Sequence, residues 1–178
     1  MVIVSGPQID LLAKEGKVVP GSRSDLAKVG IGMFVRKGAP KPDISSVETF
    51  KRALLAAKSI GYNDPAAGAP VSLYLIGAFE RLGIAAEMKA KTVAFKRRSE
   101  RFAPVARGEV EIGFNQISEI LVVPGIELLG PLPAGMQNYT LFSAGIVAGS
   151  KQPDAARAFV RFMASPGSAS AMRAKGFE

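Results

Sequence analysis

Lys58-Ser-Ile-Gly-Tyr-Asn-Asp-Pro-Ala-Ala-Gly-Ala-Pro-Val-Ser-Leu-Tyr-Leu-Ile-Gly-Ala-Phe-Glu-Arg-Leu-Gly83 reads as strand, turn and helix. Ser59 to Tyr62 suits a short strand. Asn63-Asp64-Pro65 is a turn signal, and Asp64 suits a side-chain cap of that turn. Pro70 fits the first helical position, where its missing N–H costs nothing. Val71, Leu75, Ala78, Phe79 and Leu82 then recur on one helical face, and Gly83 suits the residue just past the helix end. The turn is crowded with small residues, Ala66, Ala67, Gly68 and Ala69, which would let a ligand approach the free N–H groups at the helix start. Those groups favour anions. The same pattern also fits an ordinary strand-to-helix loop that binds nothing.

The rest of the chain alternates strands and helices around this unit. Val2-Ile-Val and Val29-Gly-Ile-Gly-Met-Phe-Val-Arg36 read as strands, the second with glycines where a backbone or side chain must come close. Ser45 with Glu48 forms a capping box before a helix that turns Val47, Phe50, Leu54 and Ala57 inward. Thr92 to Phe95, Val110 to Phe114, Ile126 to Leu129 and Tyr139 to Ala148 are further strands. Pro104 makes the helix expected over 99–107 short, kinked or late. Pro153 to Ala164 is a helix with Ala155, Phe159, Phe162 and Met163 on its inner face, and a last helix runs from Gly167 to Lys175. This alternation predicts an α/β fold. Proline-bearing segments at 37–42 and 130–134 suggest hinges. They would divide the chain into a first lobe built from 1–40 and 134–178 and a second lobe of 41–133.

Composition narrows the chemistry. The chain has 178 residues, with neither Cys, His nor Trp, and a formal charge of +8. Without Cys and His there are no disulfides, no thiol nucleophile and no imidazole base or ligand. No Gly-x-Ser-x-Gly, Ser-x-x-Lys or Walker pattern occurs, which argues against an enzyme and leaves a small hydrolase without His or Cys as the catalytic alternative. The basic charge fits an anionic partner. A nucleic-acid partner is not expected, because helix-turn-helix cues, zinc spacing and an aromatic platform are all missing. No apolar run approaches the ~20 residues of a membrane span, and the opening residues do not form a signal peptide. Lys96-Arg97-Arg98 could neutralise an anion, although such runs are usually solvated.

Taken in order, several segments resemble the molybdate-binding solute receptors of ABC importers, members of the type II periplasmic binding-protein fold. They are Val2-Ile-Val-Ser, the Lys14-Glu-Gly-Lys-Val18 turn, Val29 to Lys37 and Ile44-Ser-Ser-Val-Glu48. Asp64-Pro, Tyr74, Glu80-Arg-Leu-Gly83 and Arg107-Gly-Glu-Val-Glu-Ile-Gly113 follow. Ser143 to Arg157, Phe162-Met-Ala-Ser-Pro166 and Lys175-Gly-Phe177 complete the series. The resemblance implies a two-lobed clamp closing on a small oxyanion without metal, cofactor or covalent bond, in the periplasm, with the membrane permease of an ABC importer as partner. It implies helix-start amides as ligands, at Val71 with Ser72 beside it and at Arg98. It places Gln116 where the family uses a tyrosine hydroxyl, and Gln116 can still donate through its amide. The serine ligands of the family precede the part matched here, so the resemblance implies an incomplete first lobe. Such a lobe would have an open edge that either self-associates as a homo-oligomer or belongs to a longer exported protein.

Overall fold

The computed structural model describes every residue except Gly68, Arg98 and Ser99, together with all side chains of the others save that of Ala67. The chain forms two compact units, Met1–Val29 with Tyr139–Glu178, and Gly30–Asn138. The proline-bearing segments at 37–42 and 130–134 both lie inside the second unit. The strand that leaves the first unit does not stop there. It runs unbroken from Ser24 to Arg36 and keeps its hydrogen-bonded neighbours through Arg36.

In the first unit, β1 (Val2–Ser5) lies antiparallel to β7 (Tyr139–Gly145), with Val2 opposite Gly145 and Ser5 opposite Phe142. Helix α1 (Gly6–Lys14) follows β1 without a loop and buries Ile9. Its start is a capping box between Ser5 and Gln8, with the Ser5 N–H donating to Gln8 Oε1 at 3.2 Å. Helices α7 (Pro153–Met163) and α8 (Pro166–Ala174) complete the unit. Here the sequence reading needs correction. Phe159 and Phe162 were expected in the core, yet they are 49% and 59% exposed, and their rings lie 6.4 Å apart on the outer face. The inward residues are Ala156 and Val160, which join Ala144, Ile146, Val19 and Leu26. An amphipathic helix with apolar residues on two sides does not say which stripe faces the sheet. Phe177 is half-buried against Phe142, with ring centroids 6.0 Å apart.

A polar network ties the same unit together. Ser143, fully buried, donates its hydroxyl to Asp25 Oδ1 at 2.6 Å. Arg23 donates Nε to the same oxygen at 2.9 Å and Nη1 to Asp10 at 2.7 Å. The Arg23 hydrogen bond first, and the Ser143 hydroxyl second, hold the Asp25 carboxyl below the usual range. A carboxylate whose acidity is strengthened by folding contributes stability at pH above its unfolded value, about 4. That contribution fades as pH falls toward the folded value. Acidifying from pH 6 to 3 should therefore lower the melting temperature of the wild-type chain more steeply than that of Asp25→Asn. Thermal melts across that range check this, and equal slopes would contradict it.

The second unit carries a five-stranded sheet in the order β6-β2-β5-β3-β4. The strands are the later part of β2 (Ser24–Arg36), β3 (Ile60–Asn63), β4 (Thr92–Phe95), β5 (Ile112–Gln116) and β6 (Ile126–Pro131). Strands β3, β4 and β5 are mutually parallel, whereas β2 runs antiparallel to β5 and β6. The helices are α2 (Val47–Ala56), α3 (Pro70–Arg81), α4 (Ala85–Lys91) and the one-turn α5 (Ala103–Ala106) and α6 (Ile117–Ile120). Helix α5 starts late, with Pro104 in its first turn, as the sequence required. The cap of α2 is Ser46, one residue later than expected. Its hydroxyl accepts the Thr49 N–H at 3.1 Å, and Thr49 takes the reciprocal role expected of Glu48.

Alternation along β2 divides the core. Ile31, Met33 and Val35 face a cluster with Phe50, Leu54, Leu75, Phe79, Met88 and Phe114. Phe34 faces the opposite cluster with Phe95, Val105, Ile120 and Ile126. On that second face the glycines explain themselves. A Cβ on Gly113 would lie 2.2 Å from the Phe34 ring, and one on Gly61 would lie 2.2 Å from the Phe95 ring. In both places the far end of a ring comes against bare backbone, which is what the strand glycines provide.

Candidate anion site

Because β3, β4 and β5 are parallel neighbours, their carboxyl ends open on one edge of the second unit. Open α/β sheets bind ligands outside this edge. Three features from distant parts of the sequence meet there. After β3 come the 3-10 turn Pro65–Ala67 and the start of α3. After β4 come Lys96 and Arg97, and β5 ends on Gln116. The first two loops are laced together, since the Asp64 N–H donates to the Phe95 carbonyl at 3.1 Å. Asp64 also accepts the Ala66 N–H at 2.9 Å, the side-chain turn cap that its position suggested.

The start of α3 has no side-chain cap. Its cap position is Ala69, whose methyl group accepts no hydrogen bond, and Pro70 follows as the first helical residue. The Ala69 carbonyl accepts the Leu73 N–H at 3.2 Å. The amides of Val71 and Ser72 precede the first intrahelical bond and point off the end of the helix. Both residues are buried, at 5% and 0% exposure. The Val71 side chain belongs to the core cluster with Leu75, Ala78 and Phe79. The Ser72 hydroxyl donates to the Asn63 carbonyl, so it fastens α3 to the end of β3. Both side chains are thus engaged within the fold, and what the helix start has left is its backbone N–H groups. The helix dipole adds partial positive charge at the same point.

Gln116 is half-buried at the end of β5, where its N–H donates to Asn115 Oδ1 at 2.8 Å. It stands at the carboxyl end of β5, at the first residue before α6. Arg98, the second expected amide position, lies outside the described residues. Lys96 and Arg97 are exposed, and Arg97 reaches Glu100 at 3.7 Å, an ion pair of a solvated surface. Ala69, one of the small residues expected in this turn, stands at the cap position. Its signal was the lack of Ser, Thr, Asp or Asn at the cap of an otherwise well-formed helix start. Among the described residues no group of three or more His, Cys, Asp or Glu side chains could hold a metal ion, and no helix is long and apolar enough to cross a membrane.

Comparison with known proteins adds the following. The family model described as bacterial extracellular solute-binding protein matches residues 1–178. An aconitate isomerase from a Pseudomonas species is 39% identical over the whole chain, and the chain spans 66% of that relative's length. The periplasmic molybdate-binding protein of Azotobacter vinelandii superposes with a TM-score of 0.76 at 19% identity, covering 99% of this chain and 76% of that one. PEB3 with bound L-phospholactate gives a TM-score of 0.72 at 15% identity, covering 96% and 74%. PEB3 is a Campylobacter jejuni protein. These structural likenesses establish the α/β fold of the periplasmic binding proteins.

Proposed function

We propose a function from one premise: the chain belongs to the bacterial extracellular solute-binding proteins. It binds a small multivalent anion at the carboxyl edge of β4, β3 and β5 and serves, outside the cytoplasmic membrane, an ABC importer whose permease takes up the solute. The observation that carries this reading is the start of α3, which presents the Val71 and Ser72 amides and has no capping side chain of its own. Gln116 supplies a side-chain amide on the same edge. Three of the similar proteins are named for small anions rich in oxygen, molybdate, L-phospholactate and aconitate, and another is named for thiamin, a cation.

A second reading is favoured by the 39% identical aconitate isomerase. The bound anion would then be an unsaturated polycarboxylate whose double bond is shifted by proton transfer. Incubating the protein with trans-aconitate in deuterated water separates the readings. Formation of the cis isomer, with or without deuterium uptake, would support isomerisation, whereas binding with no cis isomer formed supports transport alone.

Calorimetry and thermal melts against molybdate, tungstate, sulfate, phosphate, citrate and both aconitate isomers test the anion site itself. One chemical class should release heat and stabilise the fold. At a free concentration of about 100 Kd the stabilisation is about 2.7 kcal/mol. Silence from all seven compounds would remove the anion reading.

A further inference from the structure

One residue past Leu73 on α3, the Tyr74 hydroxyl donates to the Met136 carbonyl, and its ring carries the Arg81 guanidinium at 5.4 Å. The next residue in the chain, Gln137, is bonded through both the oxygen and the nitrogen of its side-chain amide. Its Oε1 accepts the N–H of Ile31 at 2.9 Å and of Asn138 at 2.9 Å, and its Nε2 donates to the Ile31 carbonyl at 3.0 Å. A side-chain amide here takes the part of a neighbouring strand. The fit is close, because a Cβ on Gly30 would stand 2.9 Å from Gln137 Cδ. Ile31 in turn lies opposite Gln116 in the β2–β5 pairing. The segment 134–138 is thus held on one side by the helix that starts the anion site and on the other by the strand partner of Gln116. It also joins the two places where the chain enters and leaves the second unit, Gly30 and Asn138.

We propose that Tyr74 and Gln137 are positioning residues that couple the anion site to these two chain passages. The geometry of the clamp stands alone, but its purpose rests on the anion reading above. Tyr74 lies in the turn after the Val71 and Ser72 amides. Any adjustment of α3 toward an anion passes through the Tyr74 hydroxyl to Met136, and from there through Gln137 to the backbone of Ile31 and Asn138. Both ends of the second unit then respond to a solute that touches neither.

Native-state hydrogen exchange on the whole chain tests this. Tyr74→Phe removes one oxygen and keeps the ring. It should speed exchange of the Ile31 and Asn138 amides about fivefold, the effect of one net hydrogen bond, although the Tyr74 hydroxyl bonds Met136 and neither of these residues. Amides of α2 report global opening and should keep their rates once overall stability is matched. Gln137→Ala should speed the same two amides further, and Gln137→Glu, which keeps an acceptor, should fall between wild type and Ala. Saturation with the anion identified by calorimetry should slow both amides in the wild type and leave them unchanged in Tyr74→Phe. Unchanged Ile31 and Asn138 rates in Tyr74→Phe, or equal slowing by the anion in both proteins, would overturn the coupling. If none of the anions binds, the functional reading falls, and the rates in Tyr74→Phe still decide the clamp.

Discussion

Replacing Ala69 by Asp should make the protein more stable and less able to bind its solute. Ala69 already has the extended backbone of a helix cap, with φ −67° and ψ 119°. A carboxylate at that position accepts the first amides of α3 and meets the positive end of the helix dipole. Caps of this kind contribute about 1 kcal/mol over alanine. The introduced carboxylate is also a tethered competitor for the site. Losing charge-assisted hydrogen bonds to the Val71 and Ser72 amides should weaken anion affinity on the order of 100-fold. Ala69→Ser, a neutral cap, should stabilise with a smaller loss of affinity. Urea denaturation and calorimetry on the three proteins read both effects. A stabilised Asp variant with undiminished affinity would place the solute somewhere else.

The second large effect lies in the core. Phe50 on α2 is fully buried and meets Phe114 of β5 edge-on, with centroids 6.2 Å apart and planes at 73°. Phe50→Ala should cost about 3–5 kcal/mol, from lost burial and the cavity left behind. Against a typical total stability of about 5–15 kcal/mol, that threatens the second unit as a whole. Phe162→Ala is the contrast. A ring that is 59% exposed has little to lose, and the change should stay within about 0.5 kcal/mol. Denaturant midpoints measure both, and similar losses in the two variants would contradict the assignment of inner and outer faces.

Much of the strand, turn and helix arrangement around α3 was legible because its signals are local. Pro70 and Gly83 bracket α3 at Pro70–Arg81, with Gly83 at φ +68° just beyond the helix, as a chain reversal there demands. The strand Thr92–Phe95 was readable from its four residues alone. Helix α4 (Ala85–Lys91) was not readable. It has seven residues and only Met88 buried, too little for a periodic pattern to show. The helix start that holds Val71 and Ser72 followed from local signals, but the use of the Ser72 hydroxyl did not, since its acceptor on Asn63 belongs to the preceding strand.

By itself, then, the sequence determined the α/β alternation, the start of α3 and the lack of thiol and imidazole chemistry. These depend on backbone stereochemistry and side-chain type within a few residues. The tertiary structure alone decided which stripe of α7 faces inward. It also decided that the glycines of β3 and β5 lie under phenylalanine rings, and that the unit boundaries fall beside Gly30 and Asn138. It brought α3, Lys96 and Gln116 to one edge through the parallel pairing of three strands. The Gln137 side chain closes on Ile31 across 106 positions of sequence. Contacts at such separation leave no local pattern, because their geometry exists only once the sheet has set the register between strands.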